Sequence, residues 1–158
     1  MLSVDISLAP ALPPSTIVLR SFGKIYGLAG LRLGFAIAAP ELPDQLRDEL
    51  GPWAVSGPAL AVAATALADD AWLDHARERL AGDSRRLDQL LVAADCKVVG
   101  GTPLFRLAER ADAQALADRL ARHGIHVRRF PYNTTWLRFG LPGNEAHWQR
   151  LEAALAAG

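Results

Sequence analysis

The sequence carries no excess charge of either sign, because its 158 residues include 17 lysines or arginines and 17 aspartates or glutamates. A net charge of zero argues against a protein that binds nucleic acid or an anionic membrane through bulk positive charge. A single cysteine, Cys96, excludes an internal disulfide. The longest apolar run, residues 58–68, is shorter than the roughly 20 residues of a membrane-spanning helix, which favours a buried helix instead.

A basic stretch followed by an apolar core, which marks a secretory signal, is also missing from the N-terminal residues, so we expect a cytoplasmic protein. The four histidines have no clustered cysteine or carboxylate partners, so no metal site is predicted. What the sequence does have is a hydrophobic fraction of 51% with 22% charged residues, which is typical of folded globular chains.

Apolar runs and helical periodicity predict an α/β fold. In the first half, β-prone runs at 16–19 and 33–38 predict two strands joined by a glycine-rich loop, and we expect the first strand to be buried. Two helices are predicted to follow, over 41–50 and from a Ser56 cap to Ala68.

In the second half, a long helix is predicted to begin at Asp69 and Asp70. Its Leu73, Leu80 and Leu87 recur at heptad spacing over few turns, which indicates core packing. The remaining predicted elements are strands at 97–99, 104–107, 125–130 and 136–141, a helix over 112–123 and a final helix capped by Asn144.

The segment from Ser21 to Gly34 combines a hydroxyl, a lone lysine and an arginine with intervening glycines. Ser21 can donate to a phosphate, Arg32 can bind it through two parallel hydrogen bonds, and glycines let backbone N–H groups approach it. Lys24, partly desolvated in such a place, can lose its proton and attack an aldehyde. The plainer alternative is a surface turn with two exposed cations, since neither the P-loop nor the dinucleotide-binding pattern is present.

The same segment, SFGKIYGLAGLRLGFA, resembles the cofactor-lysine segment of fold-type-I pyridoxal-phosphate enzymes in the class I/II aminotransferase family. The resemblance implies Lys24 as the catalytic lysine that binds pyridoxal 5'-phosphate, with Ser21 and Arg32 as ligands of the cofactor phosphate. The RSFG before Lys24 and the tail WLRFGLPGNEAHWQRLEAAL look most like the threonine-phosphate decarboxylase branch, which serves cobalamin biosynthesis. Histidinol-phosphate aminotransferase is the alternative branch.

Two arginines near the C-terminal end are candidate ligands of a small phosphorylated amino-acid substrate. Strand alternation over 136–141 separates Arg138 from the packed face, and the resemblance implies that Arg138 binds the substrate's α-carboxylate. Arg128 resembles a second substrate-binding arginine, for the phosphate, whereas alternation sends Arg129 to the opposite face. The alternative for both candidates is an ordinary surface charge.

The resemblance covers the C-terminal portion of the family's fold. It implies that residues 1–68 form the end of the large cofactor-binding domain, and that 69–158 form a connecting helix and a small α+β domain. The family's acidic partner for the pyridine nitrogen is not matched, and Asp5 is not assigned that role. We expect the apolar strands to invite association, as a homodimer. The alternatives are a catalytically inactive fragment that serves as an interaction module, and a phosphate-binding module without covalent chemistry.

Overall fold

The computed structural model describes residues 11–157, which form two compact units. The first unit ends at Ala76 and the second begins at Arg77. Helices and sheets occur in both units, in agreement with the predicted α/β class. Asp5 lies outside the described residues. Among the described helices, none combines the length and the apolar character that crossing a membrane requires.

The first unit contains a two-stranded sheet and two complete helices. Its elements are β1 (Val18–Ser21), a 3-10 turn (Ala29–Leu31), β2 (Gly34–Ile37), α1 (Glu41–Leu50), α2 (Gly57–Leu67) and the start of α3 (Asp70–Ala93). The strands are antiparallel, with Val18 opposite Ile37 and Ser21 opposite Gly34. The glycine-rich segment therefore connects two neighbouring strands, as predicted.

The expectation that the first strand is buried is wrong for the described residues. The strand begins at Val18 instead of Thr16, and Leu19 is 78% exposed. The sheet of this unit has only two described strands, and Phe35 and Ile37 on the second strand are also exposed. The core of the unit instead lies beneath the loop, around the buried side chains of Phe22, Leu33 and Ala63.

Local sequence signals explain where the helices of this unit begin and end. Helix α1 ends at Gly51, whose φ of 71° is the left-handed conformation that glycine adopts without strain. The Ser56 hydroxyl accepts a hydrogen bond from the Ala59 backbone N–H at 3.3 Å and caps α2. The Asp69 carboxylate accepts from the Trp72 N–H at 2.9 Å and caps α3.

The second unit packs helices against a four-stranded antiparallel sheet. Its strands lie in the order β3-β4-β6-β5. After α3, the elements are β3 (Lys97–Thr102), β4 (Phe105–Glu109), α4 (Ala113–Arg122), β5 (Arg128–Phe130), β6 (Asn133–Gly140) and α5 (Glu145–Ala156). All three strand pairings are antiparallel.

Heptad spacing in α3 correctly predicted that Leu80 and Leu87 are buried in this unit. Its largest fully buried side chains come from α3, α4 and β6, and they are Leu87, Leu91, Leu116, Leu120, Leu137 and Phe139. The final helix begins as predicted, since the Asn144 side chain accepts from the His147 N–H at 2.9 Å. Cys96 is buried in the same core, and that burial raises the pKa of its thiol.

Strand boundaries were predicted less accurately than strand existence. Residues 100–102, expected to turn, continue β3, and the turn is at Pro103 and Leu104. The predicted strand over 125–130 forms a ladder only from Arg128, while β6 begins three residues before Trp136. Glycines in a strand weaken the sequence signal, because they give no side chain to pack.

Candidate functional site

The loop between β1 and β2 brings together the three residues predicted to hold a cofactor. Ser21, Lys24 and Arg32 line one cavity of about 290 Å³. Gly23 and Gly34 also line it, so part of the wall is backbone without side chains. A hydroxyl, an amine and a guanidinium at one cavity form a donor set that suits a phosphate-bearing ligand.

Backbone bonds hold this loop to the core of the first unit. Phe22 is 2% exposed and its N–H donates to the Leu33 carbonyl at 3.2 Å, while its carbonyl accepts from the Leu28 N–H at 3.0 Å. The Ser21 hydroxyl accepts from the Gly23 N–H at 3.1 Å. Because Phe22 is anchored, its neighbour Ser21 is held at the rim of the cavity.

Position 23 requires glycine because the backbone there passes close to Ala29. A Cβ at this position would lie 3.1 Å from the Cα and 3.2 Å from the Cβ of Ala29. Such contacts are tighter than ordinary van der Waals distances and involve atoms with little freedom to move. Gly30, by contrast, has open space where its Cβ would be.

Arg32 occupies a costly backbone conformation. Its φ of 51° and ψ of 39° are left-handed, which costs a non-glycine residue about 1–2 kcal/mol. Its backbone N–H donates to the Ala29 carbonyl at 3.3 Å, which closes the 3-10 turn. The conformation places an arginine at a turn position that glycine usually takes, and its side chain lines the cavity.

Lys24 is exposed, and within residues 11–157 its ammonium has no ion-pair or hydrogen-bond partner. Partial desolvation of this amine beside a bound anion therefore stays a prediction. All the described residues that line the cavity come from 21–34, and they leave the Lys24 side chain exposed.

The second pair of predicted residues, Arg128 and Arg138, is brought together on one face of the four-stranded sheet. They are directly opposite each other on β5 and β6. Arg138 is half-buried, with its guanidinium 4.5 Å from the centre of the Phe105 ring, and Arg128 is exposed and lies 5.7 Å from the Phe130 ring. Like charges in directly opposite positions destabilise a sheet, so an anion between them would relieve the repulsion.

Arg129 projects to the other face, as strand alternation predicts. Its guanidinium donates to the Asp118 carboxylate and, at 3.4 Å, to the Gln114 side chain, both on α4. Arg129 therefore ties the edge strand to a helix, and it is not available to a ligand on the Arg138 face.

Trp136 is a residue on the Arg138 face that the sequence did not single out. Its indole N–H is buried and has no hydrogen-bond partner among the described residues. It stands two residues before Arg138, so alternation puts both side chains on one face. Alternation in the sequence indicates its placement on this face, and the structure adds that its donor is unpaired among the described residues.

Comparison with known proteins places these residues in a wider context. A family described as aminotransferase class I and II matches residues 5–155. A threonine-phosphate decarboxylase from Pseudomonas aeruginosa is 48% identical over 142 residues, which cover 90% of this chain and 43% of that protein. A threonine-phosphate decarboxylase from a Sinorhizobium species is 46% identical, with coverage of 89% and 41%.

A solved structure has a similar fold. Histidinol-phosphate aminotransferase from Sinorhizobium meliloti, in complex with pyridoxal-5'-phosphate, superposes with a TM-score of 0.77 at 28% sequence identity. The similarity covers 90% of this chain and 40% of that one. The chain thus spans less than half the length of the relatives that it matches.

Proposed function

Because the chain belongs to the class I and II aminotransferase family, we propose that it is the lysine-bearing part of an enzyme that uses pyridoxal 5'-phosphate. Its proposed reaction is the decarboxylation of L-threonine O-3-phosphate to aminopropanol phosphate, a step of cobalamin biosynthesis. The carrying observation is that Ser21, Lys24 and Arg32 line one cavity. Identities of 48% and 46% to threonine-phosphate decarboxylases support the choice of reaction.

The loop has features that fit the cofactor. Ser21 and Arg32 would hold its phosphate, since a hydroxyl and a planar guanidinium both donate to phosphate oxygens. Because Gly23 has no Cβ, the loop can pack closely against Ala29 at this part of the cavity wall. When bound, pyridoxal phosphate supplies an electron sink for the bond that breaks at the substrate's α-carbon. Lys24 is the amine that would hold its aldehyde group.

The arginines on the sheet face would orient the substrate. Arg138 presents a half-buried guanidinium, which can bind an α-carboxylate through two parallel hydrogen bonds. Arg128, directly opposite, would bind the substrate's phosphate. After carbon dioxide leaves, the Lys24 amine is the group in this chain that would carry a proton to the α-carbon.

A histidinol-phosphate-type aminotransferase is the second candidate function. It is favoured by the superposition on a histidinol-phosphate aminotransferase with a TM-score of 0.77. The same lysine and arginines would serve that reaction, with Lys24 moving a proton from the α-carbon. The two reactions differ in which bond of the α-carbon the arginines align for cleavage, the bond to the carboxylate or the bond to hydrogen. L-threonine O-3-phosphate has both bonds, so the product formed from it distinguishes the two reactions.

The assembly and domain organisation belong to the same proposal. The exposed apolar side chains of β1 and β2 support association, and we propose a homodimer in the cytoplasm. Residues 1–68 would be the end of the large cofactor domain, and 69–158 the connecting helix and small domain. If neither the dimer nor another chain covers Lys24, the 158 residues alone would be catalytically inactive.

The first test is an absorbance titration of the chain with pyridoxal phosphate, followed by borohydride reduction and peptide mapping. The sequence contains two lysines, Lys24 and Lys97, and Lys97 is an exposed internal control. We expect one reduced adduct per chain on Lys24, and its loss in Lys24→Ala but not in Lys97→Ala. Equal labelling of both lysines would contradict a specific site.

The second test is turnover of L-threonine O-3-phosphate by the loaded protein. Aminopropanol phosphate and carbon dioxide are the products expected of a decarboxylase, whereas a keto acid phosphate would identify an aminotransferase. A specific adduct at Lys24 without either product would mean that the chain binds the cofactor and lacks the remainder of the catalytic site.

A further inference from the structure

A second cavity lies in the second unit, where the edge strand of the sheet parts from its neighbour. The ladder between β5 and β6 ends at the Arg128–Arg138 pair, and residues 125–127 lie outside it. If the ladder continued, His126 would stand opposite Gly140. Instead, both residues line a cavity of about 290 Å³.

Three basic side chains from two segments line this cavity, namely His126, His147 and Arg150. The Arg150 guanidinium lies close to Gly124, two residues after the end of α4. The Nη1 atom of Arg150 would be 3.9 Å from a Cβ added at Gly124. Within residues 11–157 the structure gives none of the three side chains a hydrogen-bond or ion-pair partner. Each has an N–H donor in every protonation state that it adopts in water.

The floor of the cavity is apolar. Val127, Phe139 and Leu151 are buried in the core of the unit, and their side chains or backbones form part of the lining. Leu141 and Pro142 extend this apolar surface toward the opening. A ligand that fits must therefore combine an anionic group with an apolar body, because donors and hydrophobic surface are present side by side.

No carboxylate is among the described residues that line the cavity. Glu145, in the first turn of α5, is engaged by Arg86 on α3 through two hydrogen bonds of 2.7 and 2.8 Å. The N-terminal end of α5, which carries His147, adds a partial positive charge. The charges at this cavity consequently favour an anion.

We propose that this cavity binds a small organic anion, a phosphate or carboxylate group carried on an apolar body. Arg150 and the two histidines would bind the anionic group, and the half-buried Ile125, Leu141 and Pro142 would contact the apolar part. The proposal is independent of the function proposed above, because none of these residues belongs to the loop of Lys24 or to the Arg128–Arg138 pair.

The test is a titration of the isotope-labelled chain with phenyl phosphate. The backbone amide signals in two-dimensional NMR spectra monitor the binding. We expect saturable shifts at Val127 and Leu141. In the double variant His147→Ala/Arg150→Ala, the dissociation constant read from those two signals should rise about tenfold or more, because charge-assisted donors are lost. Both replaced residues are exposed, and unchanged signals elsewhere will show that the variant is folded.

Control variants separate this cavity from the other anion sites. Arg122→Ala removes an exposed arginine of α4 that does not line the cavity, and it should leave the dissociation constant unchanged. Lys24→Ala and Arg138→Ala should also leave it unchanged. Inorganic phosphate should bind at least several-fold more weakly than phenyl phosphate, because it cannot contact the apolar floor.

Two results would overturn the proposal. One is the absence of saturable shifts at Val127 and Leu141. The other is an equal dissociation constant for the chain and the double variant. Shifts confined to signals near Lys24 or Arg138 would reject this cavity while leaving the proposed function intact, and equal binding of both phosphates would reject the role of the apolar floor.

Discussion

The two units of this chain differ in how completely they bury their apolar side chains. In the second unit, Leu87, Leu116 and Phe139 are at most 1% exposed and belong to one continuous core. In the first unit, the buried cluster is Phe22, Leu33 and Ala63, while Leu19 is 78% exposed on a two-stranded sheet. A two-stranded sheet is marginally stable in water without a covering layer. The second unit therefore encloses its core, whereas the first unit leaves its sheet exposed and holds the Lys24 loop through buried Phe22 and local hydrogen bonds.

The largest effect expected from this difference is on stability. Leu116→Ala, in the core of the second unit, should lower the free energy of unfolding by about 2–5 kcal/mol, because it removes buried methyl groups and leaves a cavity. The matched substitution Leu19→Ala in β1 should change it by less than about 0.5 kcal/mol. Urea denaturation followed by tryptophan fluorescence measures both. Similar losses would mean that Leu19 is covered in solution, which would favour association through this sheet.

Substrate binding provides the next largest effect. Arg138→Lys replaces a planar donor fork by a single ammonium, so the dissociation constant for L-threonine O-3-phosphate should rise about tenfold or more. Arg129→Lys is the matched control, because Arg129 bonds to Asp118 on the opposite face. Titration calorimetry on each variant checks the difference. Equal losses in both variants would contradict a substrate site on the Arg138 face.

The same contrast explains how much of the molecule the sequence predicted. In the second unit, the core leucines and the Asn144 cap follow from periodicity and capping chemistry, which are local signals. In the first unit, an apolar run predicted burial of the first strand, but burial depends on neighbours that the run itself does not specify. The grouping of Ser21, Lys24 and Arg32 followed from the motif, whereas the exposure of Lys24 did not.

Trp136 and the Arg128–Arg138 pair show a similar limit within the second unit. Alternation predicts which face each side chain occupies. Register decides which residues stand opposite each other, and it depends on the turn and on a shift between Arg129 and Phe130. The sequence does not fix that shift, so the juxtaposition of the two arginines became visible only in the structure.

A smaller effect is expected within the Lys24 loop. Gly23→Ala should weaken pyridoxal phosphate binding about three- to tenfold, because the new Cβ crowds Ala29 and displaces the turn beside Ser21. Gly30→Ala is the control, since open space surrounds that position and its φ is not positive. The absorbance titration measures both variants. If both variants bind the cofactor as tightly as the unchanged chain, the loop backbone moves enough to accommodate the added Cβ beside Ala29.

The smallest expected effect is on the pH dependence of stability, through the ion pair between Arg86 and Glu145 in the second unit. The hydrogen bonds from Arg86 lower the pKa of the Glu145 carboxyl in the folded chain. A carboxyl whose pKa is lowered by folding stabilises the fold above its unfolded pKa of about 4.3, and that contribution is lost as the pH falls through the folded value. Glu145→Gln should therefore lower the urea midpoint slightly at pH 7, and the difference from the unchanged chain should be lost at an acidic pH below the folded pKa.

Glu78→Gln is the control for this measurement, because Glu78 is exposed on α3 in the same unit and has no ion-pair partner among the described residues. Its urea midpoint should follow that of the unchanged chain at both pH values. A Glu145→Gln midpoint that also follows the unchanged chain would mean that packing alone joins α3 to α5, with the Arg86 guanidinium acting through its contact with the Trp148 ring at 4.6 Å. In that case the Arg86–Glu145 ion pair would add nothing measurable to the core of the second unit, which would make its contrast with the first unit sharper still.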